Sequence, residues 1–312
     1  MPVYASIDAG SNAIRMLVAA MDEDGVFHFH RLQYERTTTR LAEDLARTGN
    51  LSRRSMERTI DALKKYRRIL EGYEVSGIRA VGTSAVREAA NAGEFTRRVF
   101  RETGIKLEAI AHEEEARLSA KGVTGFLSSP EKNPRSFILD IGGGSTEWMI
   151  TEGQTLLRSG SIPAGVVKFA GVLAGSGEAA LSKMVSDTAI KLKKAVWPLP
   201  GGTGFVITGG TASTAASIDL RLEKYEHEKV HGHGMSIGRL TGIYRLLASL
   251  PLEERRRLPG LEPERADLII PGIGLIIEIM RGFGLNRVIA SDTGLPEGLI
   301  LDLLERKRGQ WG

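Results

Sequence analysis

Two stretches of this chain repeat one design: Asp8-Ala9-Gly10-Ser11-Asn12, and Asp140-Ile141-Gly142-Gly143-Gly144-Ser145-Thr146-Glu147. In each, an apolar run delivers an aspartate, glycine turns the chain, and a hydroxyl residue closes the turn. Glycine lets the backbone come close to a phosphate and aim its amides at it, and an aspartate at a strand end suits a metal ion or a water. Two such turns suit a phosphate gripped from two sides. The aspartates also admit a plainer role, capping their own turns through an Asx bond. A third glycine turn, Thr208-Gly209-Gly210-Thr211, follows a strand and opens a helical stretch; it either binds a phosphate or terminates a helix. The run Glu113-Glu114-Glu115 at a helix start favours the positive end of the helix dipole. His231 and His233 form a His-Gly-His pair that reads as loop rather than metal ligands, while His28 and His30 alternate on a strand.

The elements that position these residues follow from what comes after each turn. Residues 14–20 and 148–151 are short apolar strand stretches without the capped, helix-periodic sequence that a Rossmann or Walker loop leads into. The unit is therefore strand, glycine turn, strand. A third strand is expected over residues 26–34 after the turn at 22–25, then a helix over 52–71 with Ser52 as N-cap and Met56, Ile60, Leu63 and Ile69 on one face. A strand at 78–82, a loop, a helix from about 94 to 102, a strand at 107–110 and a helix from 113 to about 124 complete a βββαβαβα order. The polar stretch 128–134, with Pro130 and Pro134, reads as a boundary. Beyond it the order restarts, with strands at 137–140, 147–151 and 155–162, a helix from about 177 to 196 and a strand at 204–208. The fold class is α/β, built from a duplicated unit. The domain expectation is 1–126 plus about 297–312 for one lobe and 127–296 for the other, the helix at 299–307 returning to the first.

A chain of 312 residues with 42% hydrophobic content has room for two packed cores. The most apolar stretch, 268–280, contains Pro271 and Glu278 and is too short to span a bilayer, and the start carries no signal-peptide pattern. With zero cysteines there are no disulfides or thiolate metal sites, which fits a reducing, cytoplasmic setting. The net charge of +4 is uneven: residues 31–106 hold 17 Lys and Arg against 10 Asp and Glu, a balance of +7, so the rest of the chain sums to −3. A basic lobe facing a polyanion and a set of solvated helix faces both account for this. No aromatic interleaving or nucleic-acid motif accompanies the charge, so neither DNA nor RNA is an expected partner.

The chain resembles the exopolyphosphatase and guanosine pentaphosphate phosphohydrolase family, a branch of the actin, hexokinase and heat-shock chaperone superfamily. The resemblance runs over essentially the whole chain. It is carried by Asp8 to Asn12, Gly82-Thr83-Ser84-Ala85-Val86-Arg87-Glu88-Ala89, Glu114-Glu115-Ala116-Arg117-Leu118, Asp140 to Glu147, Gly209-Gly210-Thr211, Val230-His231-Gly232, and Arg265-Ala266-Asp267 with Pro271-Gly272. The resemblance implies two ribonuclease H-like domains with a cleft between them. It implies phosphate binding by Gly10, Ser11 and Asn12, by Gly142, Gly143, Gly144, Ser145 and Thr146, and at the cleft lining by Gly209, Gly210 and Thr211. Arg87 matches the family's phosphate-binding arginine in the loop after the first lobe's fourth strand, and Glu115 its catalytic glutamate, the base that activates water. Asp8, Asp140 and Glu147 are the expected metal residues, for Mg²⁺ or alternatively Mn²⁺. The substrate that the resemblance implies is inorganic polyphosphate, with guanosine pentaphosphate as the alternative and an ATP-using kinase or ATPase of the same superfamily, or a polyphosphate or alarmone sensor, as the rivals of another class; no membrane is expected, and a homodimer is compatible with the reading. One departure is Leu295-Pro296-Glu297-Gly298, where family members often carry Leu-Arg-Glu-Gly: an arginine is lost and a helix-starting proline gained.

Overall fold

The computed structural model describes residues 1–21, 29–127 and 135–309. The expected turn at 22–25, the strand start at 26–28 with His28, and the boundary stretch 128–134 lie outside the described residues. The chain divides into two units, Met1–Gly122 with Leu295–Gly312, and Val123–Gly294.

The first unit runs β1 (Val3–Ala9), β2 (Ala13–Met21), β3 (Phe29–Thr38), α1 (Leu45–Thr48), α2 (Arg53–Leu70), β4 (Val75–Gly82), α3 (Ser84–Glu88), α4 (Ala92–Thr103), β5 (Leu107–Ala109) and α5 (His112–Thr124). Its sheet has the order β3-β2-β1-β4-β5, with β1, β4 and β5 parallel and β2 and β3 antiparallel additions. The start of α2 is set by Ser52, whose Oγ accepts from Ser55 N at 3.2 Å. Its buried stripe of Met56, Ile60, Leu63 and Tyr66 then covers Ile7, Ile14 and Met16 of the sheet. The C-terminal helix, Leu295–Gly309, belongs to this unit: Leu295 and Leu299 share a core with Val81, Ile110 and Leu118. Gly298 allows the close approach, because a Cβ there would land on the Leu118 carbonyl oxygen.

The second unit runs β6 (Arg135–Ile141), β7 (Thr146–Glu152), β8 (Thr155–Ile162), α6 (Val166–Val196), β9 (Gly204–Thr208), α7 (Gly209–Leu220), α8 (His227–Val230), β10 (Gly234–Ser236), α9 (Ile237–Ser249), α10 (Leu252–Arg255), α11 (Ile269–Phe283) and β11 (Arg287–Ala290). Its sheet, β10-β11-β9-β6-β7-β8, repeats the first: β6, β9 and β11 are parallel, and β7 and β8 extend β6 antiparallel. Two mixed sheets thus carry the chain, sharing a five-strand order to which the second adds antiparallel β10 at its edge. α6 starts eleven residues before the expected helix, and left-handed Gly177 (φ 80°) breaks it into two segments. α11 is apolar nearly all round, and ten of its residues are buried; no helix among the described residues is long and apolar enough to cross a membrane.

Candidate functional site

In the first unit β1, β4 and β5 end on one edge, the place where open α/β sheets present ligands: Ala9 pairs with Gly82, and Gly82 with Ala109. Three segments therefore leave that edge side by side. After β1, Gly10 N bonds Ala13 O at 3.1 Å, and a Cβ on Gly10 would lie 2.9 Å from that oxygen, so the turn is as tight as glycine permits. Thr39 N and Arg40 N both donate to Asn12 O, at 3.0 and 2.8 Å, and Ala42 N donates to Ser11 O at 2.9 Å, locking the turn from outside. Ser11 and Asn12 are buried, yet Ser11 Oγ and Asn12 Oδ1 have no hydrogen-bond partner among the described residues. Buried polar atoms in that state are rare, and here they are available to a ligand or a water. Asp8 does not cap its own turn. Its cross-strand neighbour Arg15 donates Nε to Oδ2 at 2.8 Å and Nη2 to the same oxygen, while Oδ1 is buried without a partner among the described residues.

Arg87 sits in a one-turn helix, α3, rather than in the expected loop. The reason is Gly82: a Cβ there would come within 2.5 Å of Val86 Cγ2, so the missing side chain lets the turn fold directly onto the strand end. From α3, Arg87 Nη1 donates to Ile110 O at 2.7 Å and to Glu115 Oε2 at 2.9 Å, and Nη2 reaches His112 Nδ1 at 2.7 Å. A guanidinium only donates, so His112 Nδ1 accepts. Arg87 Nε is buried without a partner among the described residues. The structure thus brings Arg87 and Glu115, 28 residues apart, into one ion pair with side chains 16% and 10% exposed. Sequence reasoning missed His112; the available signal was its i, i+3 spacing to Glu115 on a helix.

Glu114, the neighbour of Glu115, points into a separate ion cluster. Arg117 Nε and Nη2 donate to it at 2.8 and 2.9 Å, and Arg79 Nη2 at 3.1 Å. Asp302 of the C-terminal helix accepts from Arg79 Nη1 and Arg117 Nη2, both at 2.6 Å. The Arg117 hydrogen bonds, helped by Arg79 against the cost of burial, pull the Glu114 carboxyl down to about 2.

In the second unit Gly142 N bonds Ser145 O at 3.0 Å, the counterpart of the Gly10 closure. Val166 N and Val167 N, at the start of α6, take the carbonyls of Gly142 and Gly143 at 3.0 and 2.9 Å. Thr146 is fully buried and gives its hydroxyl proton to Ala164 O at 2.6 Å, so in this arrangement that proton serves the fold rather than a ligand. Asp140 and Glu147 are direct cross-strand partners on β6 and β7, and both are buried. Side chains so paired share one face at close range. Glu147 Oε1 accepts from Ser161 Oγ at 2.9 Å. The equivalent pair in the first unit is Asp8 with Arg15, so where the first hairpin holds its own cation, the second presents two carboxylates. Two buried acids in that position suit a hard divalent cation, and the oxygen donor set fits Mg²⁺; Asp8, already neutralised by Arg15, fits it less well.

The third turn opens α7 and does not end a helix. Gly209 is left-handed (φ 80°), and a Cβ there would come within 2.5 Å of Asp140 Oδ1. A Cβ on Gly210 would collide with the Arg265 guanidinium, which is anchored through Nε to Glu262 Oε2 at 2.9 Å. Arg265 was legible only as a motif residue; the structure places it against the turn. His231 and His233 lie between α8 and β10. His233 Nε2 meets Asp219 Oδ2 at 2.8 Å and Arg239 Nε meets Oδ1 at 2.7 Å, and these bonds hold the Asp219 carboxyl below its usual range although burial pushes it up.

Known proteins share this architecture. A family member from Aquifex aeolicus, described as a Ppx/GppA protein, superposes with a TM-score of 0.80 at 30% identity over 98% of each chain. An exopolyphosphatase from Cytophaga hutchinsonii superposes with a TM-score of 0.86 at 26% identity, over 97% of this chain and 98% of that one. A bifunctional 3-dehydroquinate synthase/phosphatase from Fusobacterium nucleatum is 30% identical over 97% of this chain but only 47% of its own length, so the chain spans about half of that curated relative. The match to the family's sequence pattern covers residues 17–307, and with it the chain belongs to the Ppx/GppA phosphatase family.

Proposed function

We propose that this chain is a phosphoanhydride hydrolase that releases terminal orthophosphate from inorganic polyphosphate. The observation that carries the reading is the Arg87–Glu115 pair, seated on the strand-end edge that also holds the Gly10 turn and its buried, unpartnered Ser11 and Asn12 atoms. A carboxylate bonded to a guanidinium is a weak base. A phosphoryl group that draws the Arg87 fork toward itself removes that counter-charge, so Glu115 gains basicity when substrate arrives and takes the proton of the attacking water. In the first unit Ser11 and the amides of the Gly10 turn suit phosphoryl oxygens, and in the second the amides of the Gly142–Gly144 turn have the same character. Asp140 and Glu147 would hold Mg²⁺, which supplies charge neutralisation at the phosphate oxygens.

A second substrate, guanosine pentaphosphate cleaved at its 5′ end, is favoured by a pocket of ≈ 450 Å³ beside α7, lined among others by Ser213, Thr214, Ser217, Tyr225 and Glu223. A concave site of that size, with hydroxyls, an acid and an aromatic ring, suits a nucleoside. The test is phosphate release from each substrate, with and without Mg²⁺, by wild type and Glu115→Gln. The variant is expected to lose roughly 10²–10⁴-fold in turnover while still binding polyphosphate. Equal turnover removes Glu115 from this role.

A further inference from the structure

The short helix α8 opens with His227, whose Nδ1 lies 2.5 Å from Asp292 Oδ2. Its ring stacks on His231, centroids 5.5 Å apart and planes within 19°. His231 is fixed on both sides: Nε2 faces Phe126 O at 3.2 Å, and Nδ1 accepts from Asp292 N at 3.3 Å. A carbonyl only accepts, so the proton of His231 is on Nε2 and this ring is a neutral wall. His227 is different. With Nδ1 turned to the carboxylate, Nε2 points to the other side of the ring, and it has no hydrogen-bond partner among the described residues. The side chain is 29% exposed and that of Asp292 13%, so a ligand can reach the ring while the carboxylate behind it is largely shielded.

The position of the pair gives it a use. Asp292 follows β11 by two residues, at the carboxyl edge of the parallel strands. Ser291 N bonds Ile207 O at 2.8 Å and Thr208 Oγ1 bonds Thr293 O at 2.7 Å, which ties the segment to the turn that opens α7. Asp140 pairs with Thr208 and Ala290 with Ile207, so Asp140, the Thr208 turn and Asp292 stand on three adjacent strands of one edge. At about 4.8 Å per strand, the Asp292 column is roughly 10 Å from that of Asp140, the length of a few phosphoanhydride units. The other histidine–aspartate pair, His233 with Asp219, already has Arg239 on its carboxylate and lies away from this edge on the α7–α9 side.

We propose that His227, oriented by Asp292, is a binding residue for the phosphate chain: its Nε2 donates to an oxygen of an inner phosphate, one that stays with the enzyme-bound chain after the terminal group leaves. With the Asp292 carboxylate accepting from Nδ1, the ring is held so that Nε2 can serve a phosphate oxygen. This inference rests on the proposed polyphosphate hydrolysis and adds a place for the rest of the chain.

The test measures equilibrium binding of long-chain polyphosphate and of tripolyphosphate by calorimetry, in the Glu115→Gln background that blocks turnover, with His227→Gln and His227→Ala added separately. Circular dichroism checks folding, and the conservative Gln variant keeps the test valid should the alanine variant not fold. Loss of one hydrogen bond to a charged phosphate is expected to raise the dissociation constant for the long chain roughly 10–100-fold, and to change that for tripolyphosphate less. An unchanged constant for the long chain overturns the assignment, as does an equal rise for both ligands. Binding of polyphosphate that depends on His227 in a wild-type protein that releases no phosphate upholds the subsite and overturns the hydrolase reading; absence of any binding overturns both.

Discussion

Replacing Glu114 by glutamine keeps the shape of the side chain and removes the charge on which Arg79 and Arg117 converge. The size of the effect follows from the carboxyl's displacement from 4.5 to about 2. At ~1.36 kcal/mol per unit that displacement corresponds to about 3 kcal/mol. Solvent screening at a side chain 26% exposed trims it to about 2 kcal/mol. A carboxylate whose value is depressed on folding contributes above its unfolded value, and the contribution fades as pH falls through the folded one. Here the window runs from 4.5 down to about 2. Urea unfolding followed by circular dichroism should therefore show Glu114→Gln less stable than wild type by about 2 kcal/mol at neutral pH, with the gap more than halved near about pH 3. A gap of equal size at both pH values, or none at neutral pH, would refute the account. The cluster also ties α5 to the C-terminal helix through Asp302, beside the separate Lys121–Glu305 pair and the apolar contact of Leu118 with Leu295 and Leu299. The same variant should accelerate hydrogen exchange in the last helix before it does so in β1.

Three further outcomes follow from single contacts. Gly298→Ala places a methyl on the Leu118 carbonyl and should cost about 1–3 kcal/mol, read as a lowered Tm. Tyr66, whose hydroxyl donates to Ile14 O and lies 3.1 Å from Thr37 Oγ1, is pushed by burial from 10.0 up to about 12. A near-ultraviolet titration should show one tyrosine ionising well after the others, and stability present below 10.0 should be lost as pH rises toward about 12. Glu147→Gln removes one of the two facing acids of β6 and β7, and should raise the Mg²⁺ concentration needed for half-maximal phosphate release by at least about tenfold; an unchanged requirement removes Glu147 from the metal site.

Local chemistry was legible where a few adjacent residues dictate it. The two hairpin turns could be read because a strand ending in aspartate, followed by glycine and then more strand, has few other ways to fold, and both close with the same short backbone bond. The helix expected at 52–71 is found at Arg53–Leu70 because a serine cap and a clean apolar stripe agree. Where small residues blur the period, the reading failed: Gly171, Gly175 and Gly177 hid the first half of α6. The C-terminal helix begins at Leu295, four residues before the expected start, since Pro296 is tolerated in a first turn that lacks intrahelical donors to lose. No expectation covered β10 and β11, although their edge holds Asp292.

What sequence spacing conceals is long-range pairing, and both the candidate site and the ion cluster behind it are made of it. Arg79 meets Asp302 across 223 residues, Arg87 meets Glu115 across 28, and His227 meets Asp292 across 65. The duplicated topology explains why such pairs converge: each sheet sends its parallel strands to one edge, so residues that follow different strands meet wherever those strands end. The same duplication separates scaffold from chemistry. Asp8 and Asp140 occupy equivalent positions in equivalent hairpins, and their cross-strand partners are an arginine in one and a glutamate in the other. The backbone device is therefore shared while the charge is not. The first hairpin pairs its aspartate with an arginine, and the second sets two buried acids opposite each other, the arrangement in which we propose a divalent cation is held. Exchanging the partners tests this division: Glu147→Arg should satisfy Asp140 as Arg15 satisfies Asp8, preserving the fold while abolishing any Mg²⁺ dependence of ligand binding to the second unit. If the variant instead unfolds while Glu147→Gln does not, the two hairpins are not interchangeable scaffolds and the comparison drawn from their register fails.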